Sequence, residues 1–167
     1  MVTLAILAIV LMIGVPSFQQ IIEINKAAAV TNLMARSLVL TRSEAVTRNT
    51  RVTMCQIKNP NAENLKCDLT NRYAWSHGWI IFVNPNNDND IKDDEQLLRV
   101  VQQNIANVKI ERRASVRNRI TYTPMGTAGA SRFQVTVGAQ RRALIINNPG
   151  RLRTCNPDRD NSCNWLD

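Results

Sequence analysis

The sequence predicts an α+β architecture in which one long N-terminal helix packs against an antiparallel β-sheet head. Three observations carry that reading. The fifteen residues from Met1 to Val15 hold no charge, and from Phe18 to about Thr50 apolar side chains recur at three- and four-residue steps among Gln, Glu, Lys and Arg. Beyond Arg51 the pattern changes to short apolar or alternating runs bounded by Gly, Pro and Asn, the mark of strands and turns.

The helix divides into an apolar part, residues 1–17, and an amphipathic continuation, residues 18–50. Phe18, Ile21, Ile22, Ala28, Ala29, Leu33, Leu40 and Val46 follow the spacing of one buried face, and Gln19, Glu23, Lys26, Arg36, Arg42 and Arg48 fill the gaps. At the rise of an α-helix the rod is about 75 Å long, so its first third must protrude from any head this chain can build. Pro16 removes one helical hydrogen bond and is expected to kink the rod. A membrane span needs about 20 apolar residues, a turn more than this run supplies. No basic leader or small-residue cleavage site precedes the run, so the expectation is that a short leader or first turn lies upstream of Met1.

The head takes residues 51–149, and residues 150–167 form a C-terminal tail. Arg51–Ile57 reads as a first strand or the frayed end of the helix, and Gly78–Asn84 (GWIIFVN) reads as a buried strand. Asn86–Glu95 is an acidic turn without the ligand spacing of an EF-hand, leading into a strand at Gln96–Val101. Further strands are expected at Val108–Arg112, Asn118–Thr123, Arg132–Val137 and Ala143–Asn147, the last two joined by a hairpin turn at Gly138–Arg141. Trp75, Trp79, Phe82 and Phe133 are assigned to the core.

Cys55, Cys67, Cys155 and Cys163 allow three connectivities; pairing within each close couple, Cys55–Cys67 and Cys155–Cys163, is the simplest. Disulfides imply an oxidising compartment. Neither couple has C-x-x-C spacing and His77 is the only histidine, so no zinc or other metal site and no cofactor is expected. His77 sits in a Trp-Ser-His-Gly turn, and there is neither a nucleophile elbow nor a phosphate-binding glycine loop, which argues against an enzyme.

The net charge is +8, and its placement is uneven. Between residues 109 and 153 ten Lys and Arg face one glutamate, Glu111, whereas residues 84–108 are net acidic. Surface arginines of such a segment serve solubility, neighbouring acidic proteins, or a polyanion.

The opening helix with Pro16 resembles the N-terminal helix of type IV pilins and type II secretion pseudopilins. The run GWIIFVNPNNDND, then EQLLRVV, the TPMGTAG turn at Thr123–Gly129 and RRALIINNPGRLRTC together resemble the FimT/GspH-type domain of that superfamily, over nearly the whole chain. The resemblance implies the type IV pilin fold and a minor pilin or pseudopilin. It implies partnership with other major and minor pilins, an inner-membrane stage before assembly, and display of the head on the cell surface. It also implies a cleavage site and an assembly glutamate, neither of which stands in this sequence.

In FimT-like proteins a G-R-x-R motif near the C-terminus contacts double-stranded DNA during natural transformation, and here that motif is Gly150-Arg151-Leu152-Arg153. Gly150 lets the chain turn, and Arg151 and Arg153 then project from one side of an extended segment about 6.6 Å apart. Two guanidinium forks at that spacing suit neighbouring phosphates. Lys109, Arg112, Arg113, Arg117, Arg119, Arg141 and Arg142 are expected to form the surrounding basic surface. About four neutralised phosphates give a log–log salt slope near −3.6 and micromolar or weaker binding without sequence preference. Trp165 is assigned to tail packing rather than base stacking. The alternative is a purely architectural minor pilin or H-type pseudopilin.

Overall fold

The structure is a computed structural model that describes residues 2–62, 65–70, 74–92, 95–102, 107–113 and 118–163. A single helix α1 (Val2–Thr47) runs unbroken through Pro16. It ends in a Schellman cap: Asn49 adopts a left-handed φ of 51°, Asn49 N–H donates to the Val46 carbonyl, and Thr50 N–H donates to Ala45. Among the described residues no helix is long and apolar enough to cross a membrane.

Eight strands follow: β1 (Val52–Gln56), β2 (Gly78–Val83), β3 (Leu97–Gln102), β4 (Val108–Arg113), β5 (Arg119–Tyr122), β6 (Ser131–Val137), β7 (Gln140–Ile146) and β8 (Leu152–Cys155). They form two four-stranded antiparallel sheets rather than one, ordered β3-β2-β1-β5 and β4-β6-β7-β8. Arg51–Ile57 is thus strand and not frayed helix, and the tail contributes an edge strand, β8, that alternation of apolar residues did not reveal. The β6–β7 turn is a two-residue hairpin at Gly138 and Ala139, with Gly138 at φ 54°.

Both sheets close on α1, on a face that only partly overlaps the one periodicity selected: of that set Leu33 and Leu40 are half-buried against the core. Ala27, Val30, Thr31, Met34, Ser37, Leu38, Thr41 and Ala45 are buried, whereas Phe18, Ile22 and Val46 are 70%, 59% and 51% exposed. Small side chains let the sheets approach the rod closely. The buried hydroxyls are satisfied within the helix: Thr31 Oγ1 donates to the Ala27 carbonyl and Thr41 Oγ1 to Ser37, each at 2.7 Å. Apolar residues recur at helical spacing on more than one side of α1, so periodicity alone does not choose the covered face.

Met34 and Leu38 join Trp75, Phe133, Val135, Leu144 and Ile146 in the main core. Phe133 packs edge-on against Trp75 with ring centroids 5.0 Å apart. A second cluster, Cys55, Ile57, Cys67, Ile80 and Phe82, lies on the other side of the first sheet. That is why every residue of β1 is buried. Cys55 pairs with Cys67 and Cys155 with Cys163, the local connectivity. The acidic turn is not merely solvated. Buried Asn84 ties it down, donating to Thr53 Oγ1 and the Asp88 carbonyl while its Oδ1 accepts from Asp88 N–H.

Candidate nucleic-acid interface

The G-R-x-R motif leaves a tight turn between β7 and β8. Gly150 N–H donates to the Asn147 carbonyl at 2.7 Å and Asn147 N–H donates to Arg151 at 3.1 Å, with Gly150 at φ 77°. Four contacts fix this turn on the body. Ala130 N–H donates to Asn148 Oδ1, Ala128 bridges Pro149, Gly150 lies against the Gly126 carbonyl, and Arg42 Nη2 reaches the Pro149 carbonyl at 3.4 Å. The TPMGTAG segment, itself a turn closed by Gly126 N–H to Thr123, is therefore the cradle of the motif. The sequence places Arg42 only on the polar side of the helix; its tertiary neighbours are what bring it to the motif.

In β8, Leu152 pairs with Ile146 and Arg153 with Ile145. Leu152 packs on the core, so alternation turns Arg151 and Arg153 to the opposite, outer face of the sheet. Arg151 is exposed and has no side-chain partner among the described residues. Arg153 donates through Nη2 to Ser162 Oγ at 3.3 Å and to the Ser162 carbonyl at 3.5 Å. Hydrogen bonds from the Ser162 side chain and backbone hold the Asp160 carboxyl below the usual carboxylate range, with a smaller pull from Arg153.

The other basic residues are scattered by the fold. Arg141 shares the outer face and is ion-paired with Asp158. Lys109, also on that face, is paired with Glu111 at 2.7 Å. Arg132, which sequence reasoning passed over, sits in register between Arg113 on β4 and Ile145 on β7, and so in the same row of the sheet as Arg153. Only strand register could have found it. The side chain of Arg113 lies outside the described residues, as do Arg117 and Trp165.

Three expectations for the basic surface are corrected. Arg112 points into the core: it is buried, donates to Ser131 Oγ at 2.8 Å, and lies 5.8 Å from the Phe133 ring centroid. Burial pushes its guanidinium down to about 10. Arg142 faces α1, where it lines a cleft of about 210 Å³ with Ala28, Thr31, Asn32, Thr154 and Cys155. Arg119 belongs to the other sheet and donates to the carbonyl and Oδ1 of Asn87. Alternation along β4 and β7 explains the first two, since neighbouring residues of a strand point to opposite faces.

Among the described residues the metal-type ligands that converge are Cys155, Asp160 and Cys163, and both thiols are consumed by the disulfide. What the outer face offers chemically is guanidinium groups along a sheet edge, a chemistry suited to anions.

Residues 30–150 match the family described as type II transport protein GspH. Among solved structures, the type IV minor pilin FimU of Pseudomonas aeruginosa PAO1 superposes with a TM-score of 0.57 at 17% identity, covering 80% of this chain and 91% of that one. A second crystal form of FimU gives 0.55 at 21% identity, covering 80% and 94%. The minor pseudopilin EpsH of the Vibrio cholerae type 2 secretion system gives 0.53 at 9% identity, covering 78% and 97%. These likenesses establish the long-helix-on-sheet fold. No curated protein matches the chain.

Proposed function

The chain belongs to the GspH family, and from that premise we propose that it is a minor type IV pilin whose head binds extracellular double-stranded DNA, without sequence preference, for uptake during natural transformation. The observation that supports this most directly is Arg151. It is an exposed guanidinium without a partner among the described residues, raised beside Arg153 on a turn that the body clamps at four points. A pre-set turn presents the fork without an ordering cost at the moment of binding. The exposed arginine stands at a sheet edge rather than on a helix or ribbon shaped for a groove, so phosphate contacts dominate and sequence goes unread. On this reading the chain passes through the family's inner-membrane stage before assembly, and α1 then packs among other pilins with the head outside.

A second reading has its own support. Phe18, Ile21, Ile22 and Ile24 form an exposed apolar stretch of α1 where the helix enters the head, a surface suited to neighbouring pilins whether or not DNA is bound. On this reading the chain is an architectural minor pilin or H-type pseudopilin.

The deciding experiment titrates short duplex DNA into the wild-type chain and into Arg151→Gln with Arg153→Gln, at two salt concentrations. Salt-sensitive binding by the wild type, lost in a double variant that still unfolds cooperatively, supports DNA capture. Absence of binding by both proteins at low salt rejects it in favour of the architectural reading. Arg112→Met is the internal control, and its binding should match the wild type because the side chain it replaces is buried.

A further inference from the structure

The last residues of the described chain bring acid onto the basic face. Asn156 organises them: its Oδ1 accepts from Asp158 N–H at 2.9 Å, and its carbonyl accepts from Arg159 and Asp160 N–H at 3.1 and 3.0 Å. Asp160 continues the scaffold, its Oδ1 accepting from Ser162 N–H and its carbonyl from Cys163 N–H. The Cys155–Cys163 bond closes the loop back onto β8, and Pro157 is buried beneath it. This is a built loop and not a loose tail.

Among the described residues, two of its side chains reach arginines of the outer face. Asp158 forms the ion pair with Arg141, and Ser162 takes the Nη2 of Arg153. We propose that the Cys155–Cys163 loop is an acidic cover on the DNA-binding face, in which Asp158 competes with DNA phosphate for Arg141. The inference rests on the DNA-binding reading above and adds to it a built-in attenuation.

The physics favours competition over a permanent lock. The paired side chains of Arg141 and Asp158 are 49% and 38% exposed, so water and salt screen their attraction. A duplex arrives with an array of phosphates and releases counterions on contact, a driving force that a single carboxylate lacks. With the cover closed, Arg141 is neutralised and Arg151 engages first. With the cover displaced, Arg141 joins Arg151 and Arg153 along the β7–β8 edge.

The test uses the whole chain and a fluorescently labelled short duplex, with binding followed by anisotropy across a salt series. Asp158→Asn keeps the shape of the loop and removes its charge at Arg141. It is expected to tighten binding about three- to tenfold at low salt and to steepen the log–log salt slope by about 0.9, one added phosphate contact. Adding Arg141→Gln to that variant should cancel the gain. A gain that survives Arg141→Gln would overturn the proposal, because it would then reflect a general loss of negative charge. So would an Asp158→Asn protein that binds no better than the wild type while Arg151→Gln still weakens binding. Should the wild type not bind at all, the DNA reading itself fails and the cover falls with it. Cys155→Ser with Cys163→Ser unties the same loop by another route and should also tighten binding; unchanged or weaker affinity there, in a protein that remains folded, counts against the cover.

Discussion

Gly150 lies so close to Gly126 that a side chain at 150 would overlap the Gly126 carbonyl oxygen. Two turns far apart in sequence, the TPMGTAG segment and the start of the G-R-x-R motif, thus meet backbone to backbone. Both residues hold left-handed φ values, 71° and 77°. Gly150→Ala meets two penalties, about 1–2 kcal/mol for a left-handed backbone and about 1–3 kcal/mol for the displaced neighbour. Chemical denaturation should show a loss of about 2–5 kcal/mol for this variant. DNA affinity measured well below its unfolding midpoint should fall as well, because the turn that aims Arg151 is displaced.

The helix face makes a sharp prediction because two readings of it disagree. Met34 is fully buried against the sheets, whereas Ile22 is 59% exposed. Met34→Ala should lower stability by about 2–5 kcal/mol through lost burial and the cavity left behind. Ile22→Ala should change the unfolding free energy of the isolated chain by less than about 0.5 kcal/mol. A larger effect of Ile22→Ala on unfolding would restore the periodicity-based face.

Tyr122 lends the head a pH dependence. It is almost wholly buried, and desolvation pushes its phenol up to about 12, against a smaller opposing pull from Arg42. The folded state therefore keeps its proton through a range where the unfolded chain loses it. The resulting stability is fully present below about pH 10, the unfolded value, and disappears as pH rises toward 12. Urea midpoints measured across that window should fall with pH in the wild type and fall less in Tyr122→Phe. An equal slope in both proteins would remove Tyr122 as its source.

Much of the head was legible because its strands alternate. Phe133, Val135 and Val137 are buried while Arg132, Gln134 and Thr136 are half-exposed, which is the one-face-in pattern that sequence reading relies on. The hairpin at Gly138 was legible because a two-residue turn demands a residue tolerant of positive φ. Strand β8 was not, since Leu152-Arg153-Thr154-Cys155 has one large apolar side chain and takes its place by pairing with β7 rather than by its own pattern. The basic surface was only partly legible. Arg141 and Arg142 are equivalent by composition, yet strand alternation sends them to opposite faces, and the same alternation turns Arg112 inward while Lys109 faces out.

By itself the sequence determined the long helix, the β-rich head and the turn at Gly150, and it made pairing of near cysteines the simplest of three connectivities. These follow from local terms: apolar periodicity, the backbone freedom of glycine, and the short loops closed by Cys55–Cys67 and Cys155–Cys163. Only the tertiary structure decided which helix face is covered, that the strands split into two sheets, and which arginines remain free. Those outcomes depend on contacts between residues distant in sequence. Arg42 under Pro149, Gly126 against Gly150 and Asp158 on Arg141 are set by shape and charge across the assembled body, where no local pattern records them.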